Sequence, residues 1–323
     1  MPPSIGSPFL VAAFLLGLGV LLLLDLGVFN RKAHAPGPRE ALLWTALCVA
    51  LALAFNGWLL WKFGSKPALE FLAGYLIEYA LSVDNIFVFI VIFGYFAVPA
   101  EYQHRVLFWG ILGAVALRAT FIVLGAALLN SFHWVIFVFG GFLVYTGLKI
   151  AVQEETEIHP EKNPVLKFFR RMLPVTPQYH GHKFLVRIDG RRFATPLLLV
   201  LVMVEATDVV FAVDSIPAIF AVTRDPFLVF TSNIFAILGL RALYFLLRSI
   251  VDKFHYLKIG IGLVLVFVGA KMLASDFFHV PVGVSLIVIV ALLGGSVAAS
   301  LAFPRHRDDE AQDATDFDEK GSA

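Results

Sequence analysis

Residues 209–220 read VVFAVDSIPAIF, an apolar stretch that carries an aspartate at position 214 and a proline at position 217. An ionised side chain near the centre of a bilayer costs about 2.5–3.5 kcal/mol, so such residues normally face the protein interior and pair with an opposite charge. A similar stretch, ALSVDNIFVFIV, occurs earlier, at residues 80–91. The two stretches together predict a buried polar site inside a bundle of membrane helices.

The composition places the chain among membrane proteins. Of its 323 residues, 59% are hydrophobic and only 15% are charged, whereas soluble domains average about 25% charged residues. The predicted fold class is an all-α polytopic membrane protein, and its expected partner is the lipid bilayer in which it lies. The sequence has no basic patch interleaved with aromatic residues, so no nucleic-acid partner is expected. The single cysteine cannot form an internal disulfide.

Nine apolar runs are long enough to span a bilayer. They cover residues 8–28, 41–61, 67–96, 106–129, 132–152, 195–219, 227–247, 257–274 and 281–303. The expected organisation is two N-terminal helices (1–66), a first three-helix repeat (67–152), a cytoplasmic loop (153–194), a second three-helix repeat (195–274), a ninth helix (275–303) and a disordered cytoplasmic tail (304–323).

Lysine and arginine residues indicate the orientation, because cytoplasmic loops carry an excess of both. With the N-terminus outside, the inner segments hold most of the basic residues that flank the spans, and the outer segments hold only Lys62, Lys66 and Arg224. The prediction is an external N-terminus and a cytoplasmic C-terminus. Within the long inner loop, NPVLKFFRRMLPV (163–175) suits an amphipathic helix on the membrane surface, and KFLVRIDGRRFAT (183–195) suits a β-hairpin.

Rare charged residues recur in the same order in the two blocks of three helices. Asp84 aligns with Asp214 and Glu78 with Asp208, both at an offset of 130 residues. Asn85 aligns with Ser215 at the same offset, and Arg118 with Arg241 and Gly147 with Gly269 at similar ones. Because each block has an odd number of spans, the two would cross the membrane in opposite directions. The sequence therefore predicts inverted repeats, an arrangement that secondary transporters use to form a substrate site at the membrane midplane.

The intramembrane charges are the candidate site residues. Glu78 lies on the same helical face as Ser82 and Asn85, since they are spaced four and seven residues apart. In the second repeat, Glu205 lies one turn before Asp208, and Ser215 lies two turns after it. Arg118 and Arg241 are candidate charge partners, either as structural ion pairs or in gating. Asn233 is more simply a polar bridge between helices than a ligand.

Pro217 is expected to interrupt its helix, which would let Asp214 turn inward and would expose the Val213 carbonyl oxygen. The predicted metal ligands are Glu78, Asp84, Asn85, Glu205, Asp208, Asp214 and Ser215. Oxygen-only ligand sets suit Mn²⁺, Mg²⁺ or Ca²⁺ rather than zinc or copper. Ligand type alone does not choose among these three cations.

Four stretches resemble the TerC family of bacterial membrane proteins, and within it the Alx-type members. They are LDLGVFNRKAH, EYALSVDNIFVF, RRFATPLLLVLV and VEATDVVFAVDSIPAIFAVT. The resemblance implies an inner-membrane protein, a history of association with tellurite resistance and alkaline response, and an association with manganese export. It also implies that the acidic motif residues of the family are the seven candidate ligands above. The resemblance selects Mn²⁺ among the hard cations.

The function predicted is secondary transport that exports Mn²⁺ from the cytoplasm in exchange for protons. The expectation is a transporter rather than an enzyme, without a resident cofactor and with the metal ion as transported substrate. No Walker-type motif is present that would indicate an ATP-driven motor. The alternative is a non-transporting membrane protein that serves as an assembly or stress-response partner through the 153–194 loop. Both a homo-oligomer and a membrane partner protein are compatible with the sequence.

Overall fold

The computed structural model describes residues 4–24, 37–132, 134–152, 174–188, 190–247, 256–278 and 280–303. Within these ranges the chain forms nine helices and two short strands. The helices are α1 (Pro8–Leu24), α2 (Pro38–Phe63), α3 (Ser65–Tyr95), α4 (Ala100–Ser131), α5 (Val135–Val152), α6 (Pro196–Phe220), α7 (Pro226–Leu247), α8 (Leu257–Leu273) and α9 (Val282–Ala302). The strands are β1 (Leu185–Ile188) and β2 (Arg191–Ala194).

The helices confirm the predicted all-α polytopic fold. Seven of those described are long and apolar enough to cross a membrane. The other two, α1 and α8, have 17 residues each, which is the lower end of the bilayer-spanning range. The tail predicted at 304–323 and nearly all of the amphipathic helix predicted at 163–175 lie outside the described residues.

Helices α3 and α7 form the interior of the bundle. Both are buried over most of their membrane-spanning length, whereas α2 and α9 present most of their surface outward. Helix α3 packs against α2, α6, α7 and α9, and α4 packs against α6 and α7. The acidic residues of α3 and α6 therefore lie where side chains from several helices can reach them.

Helices α5 and α8 cross through two pairs of glycines. A Cβ atom on Gly147 would lie 2.5 Å from the Gly262 carbonyl oxygen, and a Cβ on Gly269 would lie 2.7 Å from that of Gly140. Gly147 and Gly269 are equivalent in the sequence repeat, and the same offset relates Gly140 to Gly262. Gly147 therefore packs on Gly262, the repeat partner of Gly140, and Gly140 packs on Gly269, the repeat partner of Gly147. This symmetric crossing supports the predicted inverted repeats.

The segment between α5 and α6 contains the predicted hairpin. Strands β1 and β2 are antiparallel, with Ile188 paired to Arg191, and Gly190 adopts a positive φ of 77° in the turn. The Thr195 hydroxyl donates a hydrogen bond to the Lys183 carbonyl (2.7 Å), which fixes the hairpin to the start of α6. Burial raises the pKa of Tyr179.

Asp225 caps the N-terminus of α7 and also anchors the start of the chain. Its Oδ1 accepts hydrogen bonds from the Phe227 backbone N–H (2.9 Å) and the Ser4 hydroxyl (2.6 Å). Its Oδ2 accepts one from the Ile5 backbone N–H (2.8 Å). One carboxylate therefore joins the N-terminal segment to an interior helix.

Asp225→Ala is expected to lower the free energy of unfolding by about 1–2 kcal/mol, because loss of an N-cap side chain costs about that much. Asp225→Asn should retain most of the stability, because its amide oxygen can still accept the helix N–H. Thermal unfolding of the purified variants measures the difference. Equal midpoints for the alanine and asparagine variants would contradict the capping role.

Candidate metal-binding site

The site begins with two buried carboxylates on adjacent helices. Glu78 of α3 has no exposed surface, and Asp208 of α6 is 4% exposed. Ser82 and Asn85 are buried as well, so the predicted polar face of α3 points into the protein. Glu78 and Asp208 are the equivalent acids of the two sequence repeats, and the fold brings both within reach of one arginine.

Arg118 of α4 lies between the two carboxylates. Its Nη1 donates to Glu78 Oε1 and, over 3.2 Å, to the Ser215 hydroxyl oxygen. Its Nη2 donates to Asp208 Oδ1 (3.0 Å) and its Nε to Asp208 Oδ2 (3.4 Å). The guanidinium thus engages both oxygens of Asp208 and one oxygen of Glu78, and it joins α3, α4 and α6.

Asn233 of α7 holds the other oxygen of Glu78. Its Nδ2 donates to Glu78 Oε2 over 3.1 Å, and the residue is completely buried. The expectation that Asn233 bridges helices is confirmed, but its direct contact with a candidate ligand is new. In the sequence, an amide in the middle of an apolar helix indicated that Asn233 has a buried polar partner, but the sequence alone could not identify that partner.

Three buried oxygens on Asn233 and on the polar face of α3 lack a hydrogen-bond partner among the described residues. They are Ser82 Oγ, Asn85 Oδ1 and Asn233 Oδ1. A buried polar atom left unpaired costs about 1–3 kcal/mol, so such atoms are uncommon in native structures unless a ligand, an ion or a water molecule satisfies them. Two belong to the polar face of α3, and the third belongs to the residue that binds Glu78.

Glu205 lies one turn from Asp208 and is partly buried. Its carboxylate rests against Gly113 of α4, where an added Cβ atom would lie 1.9 Å from Glu205 Oε1. The absence of a side chain at position 113 therefore provides the space that the carboxylate occupies. Glu205 adds negative charge near Asp208 on the face of α6 that packs on α4.

The two motif aspartates differ in what the structure describes. Asp214 is partly buried, and the side chain of Asp84 lies outside the described part of the structure. Helix α6 continues through Pro217 as far as Phe220, so the interruption expected before this proline is not observed. Proline has no N–H to donate to the Val213 carbonyl, but the neighbouring turns are sufficient to keep the helix intact.

Arg241 occupies a different place from its repeat partner Arg118. Its Nη1 lies 2.9 Å from Nε2 of His104 on α4. Because arginine remains protonated, this contact requires His104 Nε2 to accept the hydrogen bond. The two arginines, equivalent in sequence, therefore have different surroundings in this conformation.

The arrangement combines two carboxylates, one guanidinium and several neutral oxygens. No group of three or more His, Cys, Asp or Glu side chains within the described ranges is close enough to hold a metal ion. In this conformation Arg118 supplies the positive charge between Glu78 and Asp208. The oxygen ligands around that pair are of the kind that Mn²⁺, Mg²⁺ and Ca²⁺ prefer.

A comparison with protein-family models matches residues 63–308 to the integral membrane protein TerC family. The chain belongs to the TerC family. The match extends from the end of α2 past α9 and includes every candidate site residue. It confirms the resemblance given by the aspartate stretches.

Bacterial relatives match nearly the whole chain. A protein of Myxococcus xanthus described as "Uncharacterized membrane protein STKORF319" is 58% identical over 304 residues, which are 94% of this chain and 95% of the relative. The "Putative membrane-bound redox modulator Alx" of Escherichia coli K12 is 46% identical over 299 residues, 90% and 93% of the two chains. The Photorhabdus laumondii protein of the same name is 43% identical over 318 residues, 96% and 99% of the two chains. No solved structure matches the chain.

Proposed function

We propose that this TerC-family protein is a secondary transporter that exports Mn²⁺ from the cytoplasm in exchange for protons. The observation that carries the proposal is the buried pair formed by Glu78 and Asp208. Each repeat contributes one carboxylate, and the residues that share a helix face with Glu78 or bind it carry neutral oxygens that lack a partner within the described part of the chain. Substrate sites of inverted-repeat transporters lie at this kind of interface between repeats.

The chemistry of the side chains favours a hard divalent cation. Carboxylate, amide and hydroxyl oxygens suit Mn²⁺, Mg²⁺ and Ca²⁺, whereas zinc and copper favour imidazole and thiolate ligands. The resemblance to Alx-type members of the family selects Mn²⁺ among these ions. An oxyanion such as tellurite would require arginines or helix N-termini facing it rather than an excess of carboxylates.

Proton exchange follows from the same carboxylates. Metal ligands must be deprotonated to bind, so metal binding releases protons and metal release allows the ligands to take them up again. A cycle in which Glu78 and Asp208 carry protons in one direction and a cation in the other moves little net charge through the bilayer. The proton gradient across a bacterial inner membrane would then drive Mn²⁺ outward.

The proposed location is the bacterial inner membrane, with the N-terminus outside and the C-terminus in the cytoplasm. The positive-inside distribution of lysine and arginine supports this orientation. It places the hairpin formed by β1 and β2 on the cytoplasmic side. Some relatives are described as redox modulators. This chain has a single cysteine, Cys48, so an internal dithiol mechanism is not proposed for it.

Asp84→Ala and Asp214→Ala are expected to abolish the fall in cellular manganese that expression of the wild-type protein causes. Each variant removes a candidate ligand from one repeat. The measurement is the manganese content of cells after a Mn²⁺ load, at matched amounts of protein in the membrane. Asp276→Ala, at an exposed position between α8 and α9, is the matched control and should behave as wild type.

Deletion of the hairpin, residues 185–194, separates transport from the assembly-partner alternative. A transporter whose site lies between α3 and α6 should retain Mn²⁺ export after the deletion. An assembly partner that acts through the loop should lose its cellular effect. For the aspartate variants of the preceding experiment, the site assignment would be contradicted if cells that express them contained as little manganese as cells that express the wild-type protein.

A further inference from the structure

We propose that Arg118 is an internal competitor of the transported cation, a tethered positive charge that occupies the carboxylate pair until the metal ion displaces it. This inference rests on the proposed function and identifies a step at the same site. It assigns Arg118 a role in substrate binding rather than a purely structural one. Three features of the site support this role: the contacts of Arg118, the charges around it and the position of its repeat partner, Arg241.

The contacts of Arg118 use the atoms that a cation would need. Both carboxylate oxygens of Asp208 accept from its guanidinium, and Glu78 Oε1 accepts from Nη1. Asn233 occupies the remaining oxygen of Glu78. A metal ion that binds between the two carboxylates therefore has to take the place of the guanidinium.

The charge balance favours exchange over joint occupancy. Glu78 and Asp208 together carry two negative charges when ionised, and Arg118 carries one positive charge because it is effectively always protonated. A divalent cation added beside Arg118 would place two like charges close together, and like charges repel strongly where the dielectric constant is low, even though the partly buried Glu205 adds a third carboxylate near Asp208. A divalent cation in place of Arg118 would leave the pair neutral.

Neutral oxygens on the same helix face as Glu78, and on the residue that binds it, can supply the other ligands. Ser82 Oγ, Asn85 Oδ1 and Asn233 Oδ1 are buried and have no hydrogen-bond partner among the described residues. All three residues are at least nine-tenths buried. Hard divalent cations bind such oxygens, and Arg118 makes no described hydrogen bond to them, so their unsatisfied state is explained if the cation-bound form is the one that engages them.

The repeat partner of Arg118 lies outside the pair. Arg241 contacts His104 on α4, although its sequence equivalent bridges Glu78 and Asp208. Because those two acids are themselves repeat partners, the pair could be approached by either arginine from opposite sides. Of the two equivalent arginines, only Arg118 has a described contact with the pair.

The test measures Mn²⁺ binding to the purified full-length protein in detergent. The readout is the decrease in the electron paramagnetic resonance signal of free Mn²⁺ as the protein binds the ion. Arg118→Gln keeps a hydrogen-bonding side chain, shorter than arginine, and removes the competing charge. It should bind Mn²⁺ at least about tenfold more tightly than the wild type, because the metal no longer has to displace a like charge. A residue that only orders the carboxylates would give weaker binding when replaced.

Arg118→Lys keeps the test decisive if the glutamine variant does not fold. Lysine retains the charge but not the planar fork that spans both carboxylates, so Mn²⁺ affinity should rise by a smaller factor than in the glutamine variant. Arg105→Gln, on the same helix and in contact with the Phe184 ring, is the control and should leave the affinity unchanged.

The outcomes separate this inference from the proposed function. If the wild type binds Mn²⁺ and the Arg118 variants bind it equally or more weakly, the competitor role is overturned and the transporter proposal stands. If only the Arg118 variants bind Mn²⁺, the competitor role is supported. If neither the wild type nor any variant binds Mn²⁺, the Mn²⁺ proposal fails and this inference fails with it.

Discussion

Glu78→Gln and Asp208→Asn should each reduce Mn²⁺ export by about 100-fold, the upper end of what loss of a metal-site partner costs. Both substitutions are nearly isosteric, and both remove a charge from the pair that Arg118 bridges. Neither amide can bind a divalent cation as strongly as a carboxylate or carry a proton in the exchange cycle. The measurement is Mn²⁺ uptake into inverted membrane vesicles, in which export from the cytoplasm appears as uptake.

The control for these variants is Glu101→Gln. Glu101 lies in the first turn of α4 and is exposed, so the substitution removes the same charge without touching the buried pair. It should transport Mn²⁺ at the wild-type rate. Wild-type uptake by the Glu78 variant, at an equal amount of protein in the membrane, would show that the buried pair is not part of the transport site.

Gly147→Ala should destabilise the protein by about 1–3 kcal/mol, the usual cost of forcing a methyl group into packed space. The added Cβ would lie 2.5 Å from the Gly262 carbonyl oxygen of α8, and a backbone atom cannot move aside without separating the helices. Since α5 and α8 cross at this contact, the variant should also transport Mn²⁺ more slowly. Thermal unfolding of the purified protein gives the stability change.

Gly141→Ala provides a control of opposite sign. No atom lies within 4 Å of a Cβ added at Gly141, and alanine favours a helix over glycine by about 1 kcal/mol. This variant should be as stable as the wild type or more stable. If both alanine variants unfold at the same temperature, the close crossing of α5 and α8 does not contribute to stability.

The sequence was sufficient to predict features that depend on spacing within one helix. Glu78, Ser82 and Asn85 share a face because four and seven residues are close to whole turns, and that face is buried in the structure. The cost of an isolated charge in a bilayer made Arg118 and Arg241 candidate charge partners, and Arg118 contacts two of the acids. Both predictions rest on local geometry and on the cost of isolated charges in a bilayer.

Contacts between helices could not be predicted in the same way. The amide of Asn233 reaches Glu78 from α7, and Arg241 contacts His104 rather than the acidic pair. Such contacts depend on helix rotation and depth, which the alignment of repeats does not specify. The expected break before Pro217 was wrong because one missing hydrogen bond does not interrupt a helix that is packed along its length.

Purified protein in proteoliposomes shows whether this protein moves Mn²⁺ across a membrane. A manganese-sensitive dye inside the vesicles reports Mn²⁺ entry after a pH gradient, acidic inside, is imposed. We expect rapid entry with the wild type, slow entry when the gradient is abolished, and none above empty vesicles with Asp208→Asn. Equal Mn²⁺ entry into wild-type and protein-free vesicles, under either direction of the gradient, would rule out Mn²⁺ transport.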